Sequence, residues 1–237
     1  MIEKKDAFED GYFWEYYKDL ELQFQNYLQY VPYLEGNENT HSFRLANLLL
    51  GICSHIDSVF KEIAIFPEFH SKYPNLLNPV DEHGDKRFPE ILDFLPIEEE
   101  YSLSERRAVL KTIPERITIF PFKGYNTTKK LVPKWWSNHN KIKHNFTKET
   151  FKLANLQIVR DALAGAFILN VVHKPVIQRL NKYGLLKPRY GSNPVHPQII
   201  EAWVNHSKPC ATIETEIFFY DYEDNPAYKS KIKCEGE

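Results

Sequence analysis

The chain has 237 residues, of which 43% are hydrophobic and 26% charged, and its formal net charge is -2. This length fits one large domain or two small ones, and the composition is typical of a core-forming chain rather than a disordered one. A net charge near zero disfavours a uniformly basic polycation. Only 9 glycines accompany 14% aromatic residues, which disfavours many-stranded sandwiches and glycine-rich phosphate loops.

Three widely spaced cysteines, Cys53, Cys210 and Cys234, form no CxxC pair. This usage indicates a reducing compartment and argues against a disulfide framework or a cysteine zinc site. The first residues are acidic and aromatic and contain no apolar signal core. The longest mostly apolar run, Ala162–Val172, is too short to cross a membrane. We therefore predict a cytoplasmic protein.

Two long helices are predicted at the start of the chain. From Asp10 to about Pro32, apolar residues recur every three or four positions, which is the helical period. These positions are Phe13, Tyr17, Leu20, Phe24, Tyr27 and Val31. The same period predicts a second helix over roughly Ser42–Phe66. A short polar loop joins the two apolar stripes, so we expect an antiparallel helix hairpin.

The periodicity is lost after the second helix. Prolines recur from Pro67 to Tyr101, which predicts a long excursion rather than a helix. Two β-branched runs, Val109–Ile113 and Ile117–Phe120, predict a small hairpin. We therefore assign residues 67–122 to an insertion with an acidic loop and a short β-hairpin.

Two further helices are predicted in the second half of the chain. The first covers Lys134–His144, directly after a proline in a favourable position. Thr147 is the predicted N-cap of a long helix from Lys148 to about Asn181. The middle of that helix is apolar almost all round, as in a helix packed on several sides. Pro175 should kink or end it near Val172–His173.

The remaining chain, residues 184–237, is predicted as a C-terminal extension. We expect a short helix around Gln198–Asn205 and an edge strand over the alternating segment Thr212–Tyr220. With the four long helices, the predicted fold class is mainly all-α. It is a four-helix bundle in a single domain, residues 1–237, with a long Pro-rich insertion and small β elements.

The two charge signs are segregated along the chain. Lys123–Lys152 contains eight lysines and one glutamate, a net charge of +7, whereas Asp81–Glu100 has a net charge of -6. Lysines release counterions from phosphates, and interleaved aromatic rings can stack unpaired bases. We therefore predict a polyanion such as RNA as a partner. The predicted nucleic-acid contacts are Lys134, Trp135, Trp136, His139, Lys141 and Lys148.

Two plainer interpretations of these segments stay open. The basic and acidic segments face each other, or both are ordinary solvated surfaces. The corresponding interpretation of the two tryptophans is that they are core residues.

The helix Lys134–His144 also concentrates groups suited to phosphoryl-transfer chemistry. Trp136, Asn140 and His144 share one face of the helix, because they are spaced four residues apart. Without a metal, a histidine moves the proton while cations and amides hold the phosphate oxygens. This pattern makes His144 the candidate general acid/base, with Asn140, Lys141 and Lys143 holding phosphate.

The second helix offers a partner for this histidine. If the two helices pack, Asp57 would orient His144. The structural alternative is that Asn140 and His144 hydrogen-bond across a helix interface, to Asp57 or to His55.

No metal or cofactor is predicted. Asp81, His83 and Asp85 alternate in a Pro/Gly-rich loop, but oxygen-rich calcium loops need more ligands at set spacing, which favours a solvated loop. His139 and His144 are five residues apart and point to different helix faces, which disfavours a two-histidine metal site.

Three segments, in order, resemble one known family. They are YYKDLELQFQNYLQYVPYLEGNENTHSFRLANLLLGICSHIDSVFKEI, then PKWWSNHNKIKH, then LANLQIVRDALAGAFIL. Their order and spacing resemble the HEPN superfamily of four-helix-bundle proteins, in particular bacterial HEPN-like proteins with a WWxxxNKxKH segment before the last core helix. Apart from Pro67–Tyr101, the resemblance covers roughly Asp10–His173.

The resemblance implies a homodimer that acts as a metal-independent endoribonuclease in toxin–antitoxin, phage-defence or CRISPR systems. A cognate antitoxin or defence protein would be its partner. HEPN sites pair an arginine with a following histidine, and the twin sites meet across the dimer. His144 matches the histidine, and Asn140 is polar where the family often has a polar residue. The arginine would fall at Ser137, Asn138 or His139, none of which is arginine.

The missing guanidinium matters because it would hold the transition-state phosphate through two hydrogen bonds. Lys141 and Lys143 match its charge but not its geometry. The second hypothesis is therefore a catalytically inactive, dimeric HEPN-like interaction module with a structural His144.

Overall fold

The computed structural model describes residues 11–111, 116–126, 131–188 and 211–222. Within these ranges the fold is mainly helical, with seven α-helices and five short strands. The helices are α1 (Tyr12–Leu28), α2 (Phe43–Ile65), α3 (Pro67–Lys72), α4 (Leu95–Tyr101), α5 (Lys134–His144), α6 (Leu156–Val172) and α7 (Lys174–Lys182). The strands are β1 (Ala108–Leu110), β2 (Ile117–Ile119), β3 (Lys187–Pro188), β4 (Ala211–Glu214) and β5 (Phe218–Asp221).

The two helices predicted at the start of the chain are confirmed as α1 and α2. Each is shorter than its apolar pattern by one to a few residues at its ends. Ser42 is the N-cap of α2, and its hydroxyl accepts a hydrogen bond from the backbone N–H of Leu45 at 3.1 Å. That bond satisfies one of the N–H groups that a helix start leaves free. The apolar stripes of both helices are buried in the core.

Helix α6 is the central element of the fold. Almost every side chain along it is buried, and it packs against α1, α2 and α5. This placement explains why its sequence is apolar almost all round. Helix α2 also contacts α1 and α5, so α2 and α6 together form the middle of the helical core.

The predicted start of the long helix is wrong. Helix α6 begins after Asn155, whose side chain accepts a hydrogen bond from the backbone N–H of Ile158 at 2.9 Å. Thr147 instead forms a turn with Thr150, in which each residue's backbone N–H donates to the other's hydroxyl. Both residue types favour N-caps, and the apolar run alone does not distinguish them.

The predicted break at Pro175 is confirmed. Helix α6 ends at Val172, and α7 begins at Lys174. Pro175 lies in the first turn of α7, where its missing N–H removes no helical hydrogen bond.

The insertion contains more helix than predicted. Helix α3 and helix α4 both lie in the region that its prolines marked as non-helical. Pro67 and Pro96 occupy the first turns of these helices, where proline is tolerated. The prolines therefore start two short helices instead of preventing them.

The five strands form one antiparallel sheet in the order β2–β1–β5–β4–β3. The predicted pairing of the two β-branched runs is confirmed, with Ala108 opposite Ile119. Residues 112–115, between these strands, lie outside the described residues, as does the predicted helix at 198–205.

The single edge strand predicted over Thr212–Tyr220 is wrong. The segment folds back on itself as β4 and β5, and the backbone N–H of Thr215 donates to the carbonyl of Phe218 at 2.8 Å. Strand β5 then pairs with β1 on its other side. Alternation of apolar residues continues through the bend, so the pattern does not reveal the reversal.

The sheet packs on the central helix. Phe167 of α6 stacks on Phe218 of β5 with ring centroids 5.6 Å apart. Just after β5, the hydroxyl of Tyr222 donates to the carbonyl of Val171 at 2.6 Å. The C-terminal strands therefore close one side of the helical core.

No single helix in the described part of the chain combines the length and apolarity needed to cross a membrane. Among the described residues, α6 together with Pro175–Lys182 reaches both, and this pair is bent by 82°.

Candidate nucleic-acid interface

Helix α5 has the predicted bounds, Lys134–His144. It packs against α2 and α6, and the face formed by Trp135, His139 and Ile142 is buried. The helix therefore has one side in the core and one side, which carries its lysines, toward solvent.

The two tryptophans belong to the core. The indole N–H of Trp135 donates to the carbonyl of Pro121 at 2.7 Å, and the side chain is 2% exposed. A β-carbon at Gly165 would lie 3.2 Å from this ring, so α6 approaches α5 closely there. Trp136 is 7% exposed and lies edge-on to Trp135. Burial leaves neither indole a free face for base stacking. Both tryptophans are therefore core residues rather than nucleic-acid contacts.

His139, predicted to contact nucleic acid, is also buried. Its Nδ1 lies 3.1 Å from the side-chain oxygen of Asn140, and its ring is 5.2 Å from that of Trp136. Burial is the main cause that lowers the pKa of His139, and the nearby Lys143 adds to the effect. His139 is therefore a core histidine whose burial favours the neutral form.

His144 has a different environment. It is exposed at the last residue of α5, and in the described part of the chain its side chain has no hydrogen bond or ion pair. Lys141 and Lys143 are exposed in the same turn, and Lys148 is exposed in the following segment. An imidazole with three ammonium groups nearby along the chain is therefore open to a ligand from solvent.

The other predicted residues lie around this group. Asn140 is half-buried, and its oxygen faces His139. Lys134 is exposed at the opposite end of α5. Lys134 is therefore in solvent, but it lies about one helix length, roughly 15 Å, from His144.

Asp57 is not bonded to His144. Its carboxylate pairs with Lys61 one turn along α2, at 2.5 Å, and its charge acts on buried His139. His55 accepts a hydrogen bond from the amide of Asn170 at 3.0 Å. The structural alternative, which bonded His144 to Asp57 or His55, is therefore not the observed arrangement.

Three stacked phenylalanines lie beside the basic turn after α5, and sequence reasoning did not identify them as a group. The ring of Phe43 lies near two others, Phe151 at a centroid distance of 4.8 Å and Phe146 at 6.2 Å. Phe43 is 64% exposed and Phe146 50% exposed. We call these three rings the phenylalanine stack. A signal for Phe43 was available, since it directly follows the N-cap Ser42 and lies off the apolar stripe of α2.

The acidic segment pairs with cations outside α5. Arg87 binds Asp93 through two hydrogen bonds of 2.7 Å, and Lys72 pairs with Glu100 at 2.6 Å. Between the described residues of the acidic and basic segments there is no ion pair. The interpretation in which the two segments face each other thus has no ion pair to support it.

The loop Asp81–Asp85 is a hydrogen-bonded, exposed turn. One carboxylate oxygen of Asp81 accepts the backbone N–H groups of His83 and Asp85, both at 2.9 Å. In the ranges that the structure describes, no group of three or more His, Cys, Asp or Glu side chains could hold a metal ion. The side chains of Asp81, His83 and Asp85 are therefore exposed.

Comparisons of this chain with protein-family models, with curated proteins and with solved structures found no match.

Proposed function

We propose that this chain is a HEPN-like, cytoplasmic RNA-binding protein that contacts the RNA backbone with Lys141, Lys143 and Lys148. The observation that supports the proposal most directly is the exposure of these three lysines around the exposed His144. Ammonium groups placed against phosphates release counterions, which drives binding without a deep pocket. The side-by-side packing of α1, α2, α5 and α6 supports the HEPN-like part of the proposal.

The same surface supports a cleavage reaction with His144 as the general acid/base. In this step the imidazole takes the proton of a ribose 2′-hydroxyl, whose oxygen attacks the adjacent phosphorus. The bond from phosphorus to the 5′-oxygen breaks, and that oxygen is protonated from water. The products are a 2′,3′-cyclic phosphate and a 5′-hydroxyl, and Lys143 would stabilise the charge on the phosphate oxygens. As the resemblance implies, the active form would be a homodimer in a defence or toxin–antitoxin setting.

A second candidate is a catalytically inactive HEPN-like interaction module that binds RNA or a protein partner without cleavage. One observation favours it. The arginine that would precede His144 is absent, and the residues at its place include buried Asn138 and His139. Asn138 is committed to the fold, because its amide donates to the carbonyl of Leu153 at 3.1 Å.

The RNA-binding proposal is tested by measuring affinity against salt concentration. The wild-type protein is titrated into a labelled, mixed-sequence RNA, beside a variant with Lys141, Lys143 and Lys148 changed to Gln. Each lost phosphate contact lowers the slope of log affinity against log salt by about 0.7, so the triple variant should lose about 2 from the slope. A matched variant with exposed Lys18, Lys86 and Lys182 changed to Gln controls for net charge. Equal slopes for all three proteins would refute the proposed surface.

The cleavage step is tested separately with EDTA present. We expect RNA cleavage by the wild-type protein, loss of cleavage in His144→Ala, and retention in His83→Ala, a control at another exposed histidine. Binding without cleavage by any of the three proteins would favour the inactive module.

A further inference from the structure

The phenylalanine stack is more exposed to solvent than a core-forming cluster of aromatic rings. Phe43 exposes most of its surface and Phe146 exposes half, although moving an apolar ring out of water is favourable. The rings of Phe43 and Phe146 are tilted by only 24°, and those of Phe43 and Phe151 by 20°. The ring of Phe43 is therefore nearly parallel to each of its two neighbours.

Each phenylalanine of the stack has a cationic residue one or two positions after it in the sequence. Arg44 is next to Phe43 and Lys148 is two residues after Phe146, and both are exposed. Lys152, next to Phe151, is also exposed but pairs with Glu149 at 3.4 Å. The N-terminus of α2, which begins at Phe43, adds the positive end of a helix dipole. The surroundings of the stack are thus complementary to a polyanion and not to a purely apolar partner.

Hydrogen bonds tie both chain segments of the stack to the rest of the fold. The hydroxyl of Thr150 donates to the carbonyl of Asn145 at 2.5 Å, and the backbone N–H of Phe151 donates to the carbonyl of Thr147 at 3.1 Å. These bonds hold the loop that carries Phe146. A ligand that stacks on an ordered ring loses less free energy to ordering the protein than one that stacks on a mobile ring.

The segment before α2 is held as well. The backbone N–H of Leu156 donates to the carbonyl of Thr40 at 2.9 Å, and that of Gln157 donates to the carbonyl of Glu38 at 3.1 Å. The entry to α2 is therefore tied to the start of α6. Phe43 and Phe151, which come from these two parts of the chain, keep their relative position.

We infer that the phenylalanine stack is a platform for unpaired bases of single-stranded RNA, with the backbone phosphates on Arg44 and Lys148. The inference rests on the proposed RNA-binding function and narrows its substrate class. Every base offers a flat face to an aromatic ring, so stacking tolerates many sequences. In a duplex those faces are covered by neighbouring base pairs, and the A-form helix offers only its backbone and shallow groove. The platform therefore selects single strands over duplexes, which lysines alone do not do.

The test compares a short single-stranded RNA with its duplex, by fluorescence anisotropy, for the wild-type protein and for Phe43→Leu, Phe146→Ala and the double variant. Phe43→Leu keeps an apolar side chain but removes the aromatic face, and Phe43→Tyr should restore binding. Phe88→Ala is the matched control, since Phe88 is 92% exposed and lies in the acidic segment. Loss of one stacked base should weaken single-strand binding by about 5- to 150-fold and leave duplex binding and the salt slope unchanged.

Two results overturn the inference and are distinct from failure of the proposed function. If the double variant binds single strands as the wild type does, while the triple lysine variant loses affinity, the platform is wrong and the backbone contact stands. If Phe88→Ala weakens binding as much as Phe43→Leu, the effect is not stacking at this site. If the wild-type protein shows no salt-dependent RNA binding, the proposed function itself fails, and the platform fails with it.

Discussion

A buried histidine, His55, should make the stability of this protein depend on pH. His55 is 1% exposed, and its Nε2 accepts a hydrogen bond from the amide of Asn170 at 3.0 Å. The rings of Phe13 and Tyr16 lie against it, at 5.8 and 5.3 Å. Burial away from solvent lowers the pKa of His55 from its ordinary 6.5 to about 4.

The sign of the effect follows from this difference. In the unfolded chain the histidine titrates near its ordinary pKa of about 6.5, so at acid pH the unfolded state binds a proton that the folded state excludes. The stabilisation from neutral His55 is complete above that pH and is lost as the pH falls from about 6.5 toward about 4. Between pH 7 and pH 5 the linkage relation gives a loss of about 2 kcal/mol in the free energy of unfolding.

The assay is urea unfolding of the wild-type protein and of His55→Gln at pH 7 and at pH 5. Glutamine offers an acceptor to Asn170 but has no proton to gain, so the variant should lose about 2 kcal/mol less than the wild type over this interval. The other titrating groups contribute equally to both proteins, so their contributions cancel in the difference. His83→Gln is the control at an exposed histidine. If the wild type and His55→Gln lose the same free energy, within about 0.5 kcal/mol, the reasoning is refuted.

Two further predictions concern a buried carboxyl group and a helix cap. Burial raises the pKa of Glu21, so its ionised form opposes folding as the pH rises. Glu21→Gln keeps an acceptor for the hydroxyls of Tyr17 and Thr215. The melting temperature of the variant minus that of the wild type should therefore increase from pH 5 to pH 8, and a difference that stays constant or decreases would contradict this. Asn155→Ala removes the acceptor for Ile158 and should cost about 1 kcal/mol. That corresponds to about 2–4 °C in melting temperature, and an unchanged melting curve would contradict the assigned start of α6.

The positions of the main helices could be predicted from local pattern. The stripe that includes Tyr17 and Phe24 repeats at the helical period, and both side chains are buried. The same reasoning located Lys134–His144 and the break at Pro175. These features depend on neighbours one or two turns away, so the information that determines them is contained in a short stretch of chain.

The start of α6 and the fold of the last strands could not be predicted in this way. Thr147 and Asn155 are both good caps, and the choice depends on where Asn155 and the following residues meet the segment before α2. Within Thr212–Tyr220 the alternation continues across the bend at Thr215. In both cases, contacts between residues far apart in the chain decide the outcome.

The candidate site shows the same division. By itself, the sequence determined that α5 exists, that its lysines cluster near His144, and that the positive and negative charges lie in separate segments. Only the tertiary structure decided that Trp135 and His139 face the core while His144 faces water, because a helix position is buried only if another element covers it. The stacking of Phe43 on Phe146 is likewise tertiary, since two residues so far apart in the chain meet only when α2 and the segment after α5 fold together.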